Sequence, residues 1–246
     1  MTGALATLRR ELRAYFFSPL AYAVLTLFLI VNGFIFWVII GYLSDPRSRM
    51  GAPLELFFGQ TIFFWLVLLF VTPVLTMRLL AEERKSGTIE VLMTAPVSET
   101  QVVLGKYFAA LVFFAFLWAP TLVYVAIIRA FTPVDWGPIA ASYLGVLGIG
   151  ALFLAVGIFA SATSKNQIVA AIVTFFCLLV LFSIGLVENL VNGELAKKIL
   201  GHLNLWTHMD DFAKGIVDTR RLVYYVTASG LFLFLTTRAL TAKKWR

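Results

Sequence analysis

Residues Arg78–Lys106 read RLLAEERKSGTIEVLMTAPVSETQVVLGK. These 29 residues form the longest stretch rich in charge and turn signals in the first half of the chain. On either side lie runs without one Asp, Glu, Lys or Arg, Leu56–Met77 before it and Tyr107–Ile128 after it. Each is as long as the roughly 20 apolar residues that cross a bilayer as a helix at about 1.5 Å per residue. A polar connection of this size that builds no domain of its own reads as a contact surface, the place where a soluble motor engages a membrane-embedded body.

The punctuation inside the stretch is legible. Arg78–Lys85 continues a helix out of the membrane, and Ser86-Gly87 ends it with glycine in the left-handed closing position. Thr88 caps a short helix, Ile89–Thr94, which Ala95-Pro96 breaks. Ser98 with Gln101 forms a capping box for the next span, and Val97 with Val102 its hydrophobic staple. The expected order is helix, tight turn, short helix, turn, helix. A solvated charged loop is the alternative, and the caps and staple argue against it.

Working outward, the intervals between charges set the architecture. The charge-free runs are Ala14–Ser44, Leu56–Met77, Tyr107–Ile128, Trp136–Ser164, Asn166–Val187 and Leu222–Thr237. Lipid offers the backbone no hydrogen-bond partner, so continuous apolar runs must be helices, and a β-barrel would show short alternating segments instead. The fold expected is an all-α polytopic membrane protein. It forms one transmembrane domain over 1–246, with six spans near 20–43, 56–77, 103–128, 138–161, 167–188 and 222–240. The last charge-free run is short and needs Arg238 to snorkel toward the interface.

Composition agrees. Of 246 residues, 61% are apolar and 13% charged, against about 45–50% and about 25% in soluble domains. The single Cys177 excludes an intrachain disulfide or a cysteine-based metal cluster. The net charge of +7 lies at the ends of apolar runs, which points to topology and anionic lipid rather than nucleic acid. Six spans put both termini on one side, and twelve of the 20 Lys and Arg fall there. By the positive-inside rule that side is the cytoplasm, and the membrane the cell's inner (plasma) membrane. No secretory leader is evident.

In chain order, residues 4–17 read as an interfacial helix with Leu5, Leu8, Leu12 and Tyr15/Phe16 on one face and Arg9, Arg10 and Arg13 elsewhere. It either lies on the inner leaflet against the motor or only sets topology. Ser18 and Pro19 open the first span. Asn32 sits mid-span, either bonding a neighbouring helix or facing a cavity. Pro73 kinks the inner end of the second span, as a hinge or as a static bend. Gly145, Gly148, Gly150 and Gly157 give the fourth span a packing face.

Glu188–Arg221 is a second polar block, on the outer side. Thr207 can cap a short helix with Asp210 in its first turn, and Met209, Phe212, Ala213 and Ile216 form an apolar stripe. This helix either gates the pathway or plugs the bundle top. His202 and His208, six residues apart, do not share a helical face, so no metal site is expected there.

The residues Glu82-Glu83-Arg84, Ser86-Gly87-Thr88-Ile89-Glu90, Leu92, Ala95-Pro96-Val97-Ser98 and Gly105-Lys106 carry a resemblance to a known family. Their spacing resembles the connection between spans two and three of ABC-2 type permeases, the membrane subunits of type V ABC transporters. Thr207–Tyr225, THMDDFAKGIVDTRRLVYY, is similar to the outer loop before the last span in permeases of the gliding-motility branch. The resemblance implies that Glu82–Ser98 is a coupling helix that docks on an ATPase subunit. Its contacts would be Glu82, Glu83, Arg84, Thr88, Ile89, Glu90 and Leu92, with Gly87, Pro96 and Ser98 setting the turns. It implies an outer gate or partner contact at His208, Asp210, Asp211, Phe212, Gly215 and Asp218. It also implies a second permease copy or a related permease, joined through spans one, two and five.

Absences bear on mechanism. No phosphate-binding loop is present, since Gly105-Lys106 is followed by Tyr107 and Thr100 stands where the first glycine belongs. The chain is therefore expected to be no enzyme by itself and to bind no cofactor directly, with ATP and Mg²⁺ on the partner ATPase. No Asp, Glu or His lies mid-span, where ion-coupled carriers place them, nor is there a protease pair at depth. An apolar passage suits a hydrophobic or amphipathic cargo. Two functions stand: an export permease, and a mechanotransmission or assembly subunit that passes ATPase strokes to an extracytoplasmic partner protein and transports nothing.

Overall fold

The structure, a computed structural model, describes residues 2–44, 53–85, 87, 98–188 and 193–244. The described chain is helical, with no strand among the described residues. Helix α1 (Thr2–Phe16) precedes α2 (Pro19–Leu43). A turn at Pro53–Glu55 runs into a π-helical stretch, Leu56–Gln60. Then come α3 (Ile62–Thr76), α4 (Ala81–Lys85), α5 (Glu99–Trp118), α6 (Leu122–Phe131), α7 (Trp136–Thr163) and α8 (Gln167–Val187). Helices α9 (Glu194–Leu203), α10 (Leu205–Ala213) and α11 (Thr219–Lys244) complete the chain.

Six helices are long and apolar enough to cross a membrane: α2, α3 with α4, α5 with α6, α7, α8 and α11. Their starts follow local chemistry. Ser98 and Gln101 exchange both hydrogen bonds of the capping box, a cap worth about 1 kcal/mol. Asp135 accepts from Gly137 N–H and Asn166 from Val169 N–H at the starts of α7 and α8. Residues 56–60 form their own π turn, and the second spanning helix begins only after Thr61 turns to extended backbone.

Helix α7 is the hub, packed against α3, α5, α8, α10 and α11. Its glycine row is the reason. A Cβ at Gly145 would lie 2.8 Å from the Phe212 ring, at Gly148 2.8 Å from Tyr225, and at Gly157 2.3 Å from Thr76 Oγ1. Small residues let neighbouring side chains and backbones approach, which is how helices associate where lipid removes the usual hydrophobic drive. By contrast α2 lies at the edge, burying Phe28, Ile35, Phe36 and Ile39 while Ile30, Phe34 and Trp37 face outward. Asn32 is buried, but its side-chain amide donates to Phe28 O of its own helix at 2.8 Å. Its donor is satisfied locally instead of bridging to a neighbour.

The N-terminal helix packs by part of the face expected from its sequence: Leu8, Leu12, Tyr15 and Phe16 are half-buried, and Tyr15 and Phe16 pack against the core. Leu5 is exposed, and Ala4 and Thr7 press on Gly105 of α5, where a Cβ would meet Thr7 at 2.7 Å. Tyr15 stacks on Phe113 with ring centroids 4.9 Å apart. Small residues complete the contact where the α5 backbone comes close at Gly105.

Candidate functional site

The second span breaks at its inner end. Helix α3 runs through Pro73 to Thr76, so the break falls one turn beyond the proline. Met77–Leu80 forms a turn in which Leu79 N–H bonds Thr76 O at 3.1 Å. Such a turn leaves backbone groups without helical partners, and each must find another. Tyr15 O–H of α1 donates to Leu75 O at 2.7 Å. Ser161 of α7 accepts from Leu80 N–H at 3.1 Å and Ala81 N–H at 3.0 Å, and donates to Met77 O at 3.2 Å. One fully buried hydroxyl in another helix thus caps α4.

Two charged residues of α4 close the joint. Arg84 donates to Ser164 O at 2.8 Å and Ala162 O at 2.5 Å, the exposed carbonyl end of α7, where a cation also meets the negative pole of the helix. Glu83 accepts from Lys106 at 2.9 Å and from Arg10 at 2.8 Å, and the same two cations hold Glu11 at 3.0 and 2.7 Å. Two carboxylates and two cations give a neutral cluster around Lys106, whose side chain is 2% exposed. At Glu11, burial alone would raise the carboxyl pKa. Attraction to Lys106 and hydrogen bonds from Arg10 and Lys106 outweigh it and hold the group below its usual range.

Of the residues expected to touch a partner, Glu83 and Arg84 are therefore engaged inside the protein. Glu82 is more open and pairs with Arg78 at 2.8 Å. Gly87 is exposed with φ +72°, the left-handed conformation that glycine adopts without strain. Ser98 caps α5. Thr88, Ile89, Glu90, Leu92 and Pro96, with Ser86 and Val97, lie outside the described residues. The sequence offered no signal for Ser161, Glu11 or Tyr15 as members of this site, and Lys106 read as a charge at a span end and as part of the family's spacing, not as a buried partner of Glu83.

On the opposite end, α10 folds into the bundle. Its cap is Asn204, which accepts from Trp206 and Thr207 N–H and donates to Glu188 at 2.5 Å. Thr207 is not the cap, because asparagine directly precedes the apolar run and serves at least as well. Helix α10 ends at Ala213 in a closing motif. Ile216 N–H bonds Asp211 O and Gly215 N–H bonds Phe212 O, with Gly215 at φ +84°. Ile216 therefore leaves the apolar stripe and is exposed.

Phe212 is fully buried against Gly145, and Trp206 stacks on Trp65 at 5.3 Å. His208 is buried beside Tyr225 O–H at 3.2 Å. Burial first, then the cation of Arg221, lowers its pKa to about 4. Asp211 pairs with Arg221, Asp210 with Lys214, and Asp218 accepts from Arg220 N–H at the start of α11. Phe212 and His208 fasten the loop from within, leaving Asp210, Gly215 and Asp218 nearer the surface. No group of three metal-binding side chains occurs among the described residues.

Among the described residues, six helices are long and apolar enough to cross a membrane, and together with the chain's family they make this a multi-pass membrane protein. The chain belongs to the ABC-2 family transporter protein family, whose profile matches residues 18–181. No curated protein matches the chain. Permeases of this family are membrane subunits of ABC transporters that carry no nucleotide-binding domain of their own and work with ATPase partners.

Proposed function

We propose that this chain is the pathway-forming subunit of an exporter driven by separate ATPase subunits. Two copies, or this chain with a related permease, form the passage in the plasma membrane with both termini in the cytoplasm. ATP and Mg²⁺ belong to the ATPase, which docks on residues 86–98 around Thr88, Ile89, Glu90 and Leu92, with Glu82 at the margin. The observation that carries this reading is the joint. Both ends of the connection are pinned, through Glu83–Lys106 and Arg84–α7, so displacement of the docked segment reaches α1, α5 and α7 together. Cargo is hydrophobic or amphipathic, as the uncharged spans suggest, and nucleic acid is not a partner.

The test replaces Ile89 and Leu92 by Asp and co-expresses an ABC ATPase subunit that co-purifies with the parent chain. Loss of ATPase co-purification with normal membrane insertion supports the docking assignment. Unchanged co-purification and unchanged stimulated hydrolysis sink it. Glu83 is unsuited to this test because its substitution would disrupt the joint.

A second reading, mechanotransmission to an extracytoplasmic protein without transport, is favoured by α9. Its Leu195 and Ile199, one turn apart, are exposed, and in the proposed orientation they lie outside the cell. Reconstituting the complex in vesicles separates the two. ATP-dependent movement of a labelled lipid or dye between leaflets supports export. No movement of any tested cargo, with a tightly bound outer partner, supports mechanotransmission.

A further inference from the structure

Two cavities meet beneath the N-terminal helix. One, of about 110 Å³, is walled by Tyr15, Ser18, Arg78 and Glu82. A buried water needs roughly 10–15 Å³ of such space, so this cavity has room for a small polar group. The other is an apolar groove of about 560 Å³ between α2 and α3, with Leu27, Val31 and Phe70 on its walls. Val24 and Val74 line both. The two therefore adjoin, and together they make a path that is polar at the joint and apolar up the membrane.

The polar end carries both signs of charge. Arg78 Nε donates to Glu82 Oε2 at 2.8 Å, and the two side chains stay 41% and 42% exposed. Arg78 also reaches Ser18 Oγ at 3.5 Å. Arg78 Nη2 also donates to Glu82 Oε1 at 3.4 Å, and the guanidinium N–H groups that remain recognise phosphate. The adjoining carboxylate recognises an ammonium, and it would repel a headgroup carrying only negative charge.

The groove has the depth an acyl chain needs. From Val24 to Val38, α2 rises roughly 21 Å at about 1.5 Å per residue. One leaflet of a bilayer is half of about 30 Å of hydrocarbon. A chain entering at Val24 stays within the groove through its own leaflet.

We propose that this path holds one zwitterionic phospholipid with a primary-amine headgroup, its phosphate on Arg78, its ammonium on Glu82, and one acyl chain in the α2–α3 groove. The experiment purifies the full chain in mild detergent and titrates it with phosphatidylethanolamine or phosphatidylglycerol of the same acyl chains, counting bound lipid by native mass spectrometry. One phosphatidylethanolamine per protomer is expected, favoured about fivefold over phosphatidylglycerol, the scale of one exposed charge contact. Glu82→Gln should remove the preference, Arg78→Gln should weaken both lipids, and Val31→Trp, which fills the groove without touching charge, should lower retention of both. Circular dichroism and elution volume check that each variant is folded.

Equal retention of the two lipids by the parent protein overturns the proposal, as does a preference that survives Glu82→Gln. The competing occupant is a helix of a second copy. Leu27→Cys in a Cys177→Ala background tests it, and rapid disulfide cross-linking of two copies through Leu27→Cys in membranes would also overturn the lipid assignment.

Discussion

Lys106 Nζ lies 2.9 Å from Glu83 Oε1, with the lysine side chain almost wholly enclosed. The two residues stand at opposite ends of the polar connection, one in α4 and one in α5. Their contact closes that connection at its base, and Glu11 and Arg10 bring the N-terminal helix to the same point. Removing one member of a buried ion cluster costs about 3–5 kcal/mol, because it strands the others.

Lys106→Met should accordingly lower the unfolding temperature in detergent by many degrees and abolish ATPase stimulation. Combining it with Glu11→Gln removes one of the two stranded carboxylates. The double variant should recover part of the loss, a non-additivity that a double-mutant cycle measures. Strict additivity would mean the cluster does not act as a unit.

Ser161 satisfies three backbone groups at the break in the second span. Ser161→Ala leaves Leu80 and Ala81 N–H buried without this acceptor, at a cost of about 1–3 kcal/mol. The amides of Leu80 and Ala81 should then exchange hydrogen much faster than those of α3. Protection unchanged from the parent protein would show that the hydroxyl does not hold the joint.

Gly145 and Phe212 share one space. Gly145→Val should expel the ring and loosen α10, costing about 1–3 kcal/mol by overpacking. Trp206, stacked on Trp65 in the parent, then reports the change as a fluorescence shift. Phe212→Ala added to Gly145→Val should restore the parent spectrum in part. A spectrum that Gly145→Val leaves unaltered argues against this packing.

The fastening of α10 depends on pH through His208. Its folded pKa of about 4 lies below the ordinary 6.5, so the folded protein keeps it neutral while the unfolded chain takes up a proton. Stability is full above pH 6.5 and declines as pH falls toward 4. Arg221 and His202 oppose the charged form, and Asp211 and Asp218 favour it less strongly. Thermal unfolding from pH 7.5 to 4.5 should show this decline in the parent and a shallower one in His208→Gln. Equal slopes would remove His208 as the cause.

The sequence alone determined the membrane class, the six helices, and the caps at Ser98 and Gly87, because apolar run length and local backbone chemistry need only neighbouring residues. Span four's glycines were legible as a packing face for the same reason, although nothing in the chain said that Phe212 and Tyr225 would fill it. The joint was not legible. Ser161, Tyr15, Glu11 and Lys106 reach α3, α4 and one another over 23 to 95 residues of sequence, and no local rule connects them. Glu83 and Arg84 looked like surface charges since charged residues outside a span normally face water. Tertiary structure turned them inward, because a broken helix end and a buried lysine had to be satisfied by something, and the carboxylate and guanidinium of α4 were the groups within reach.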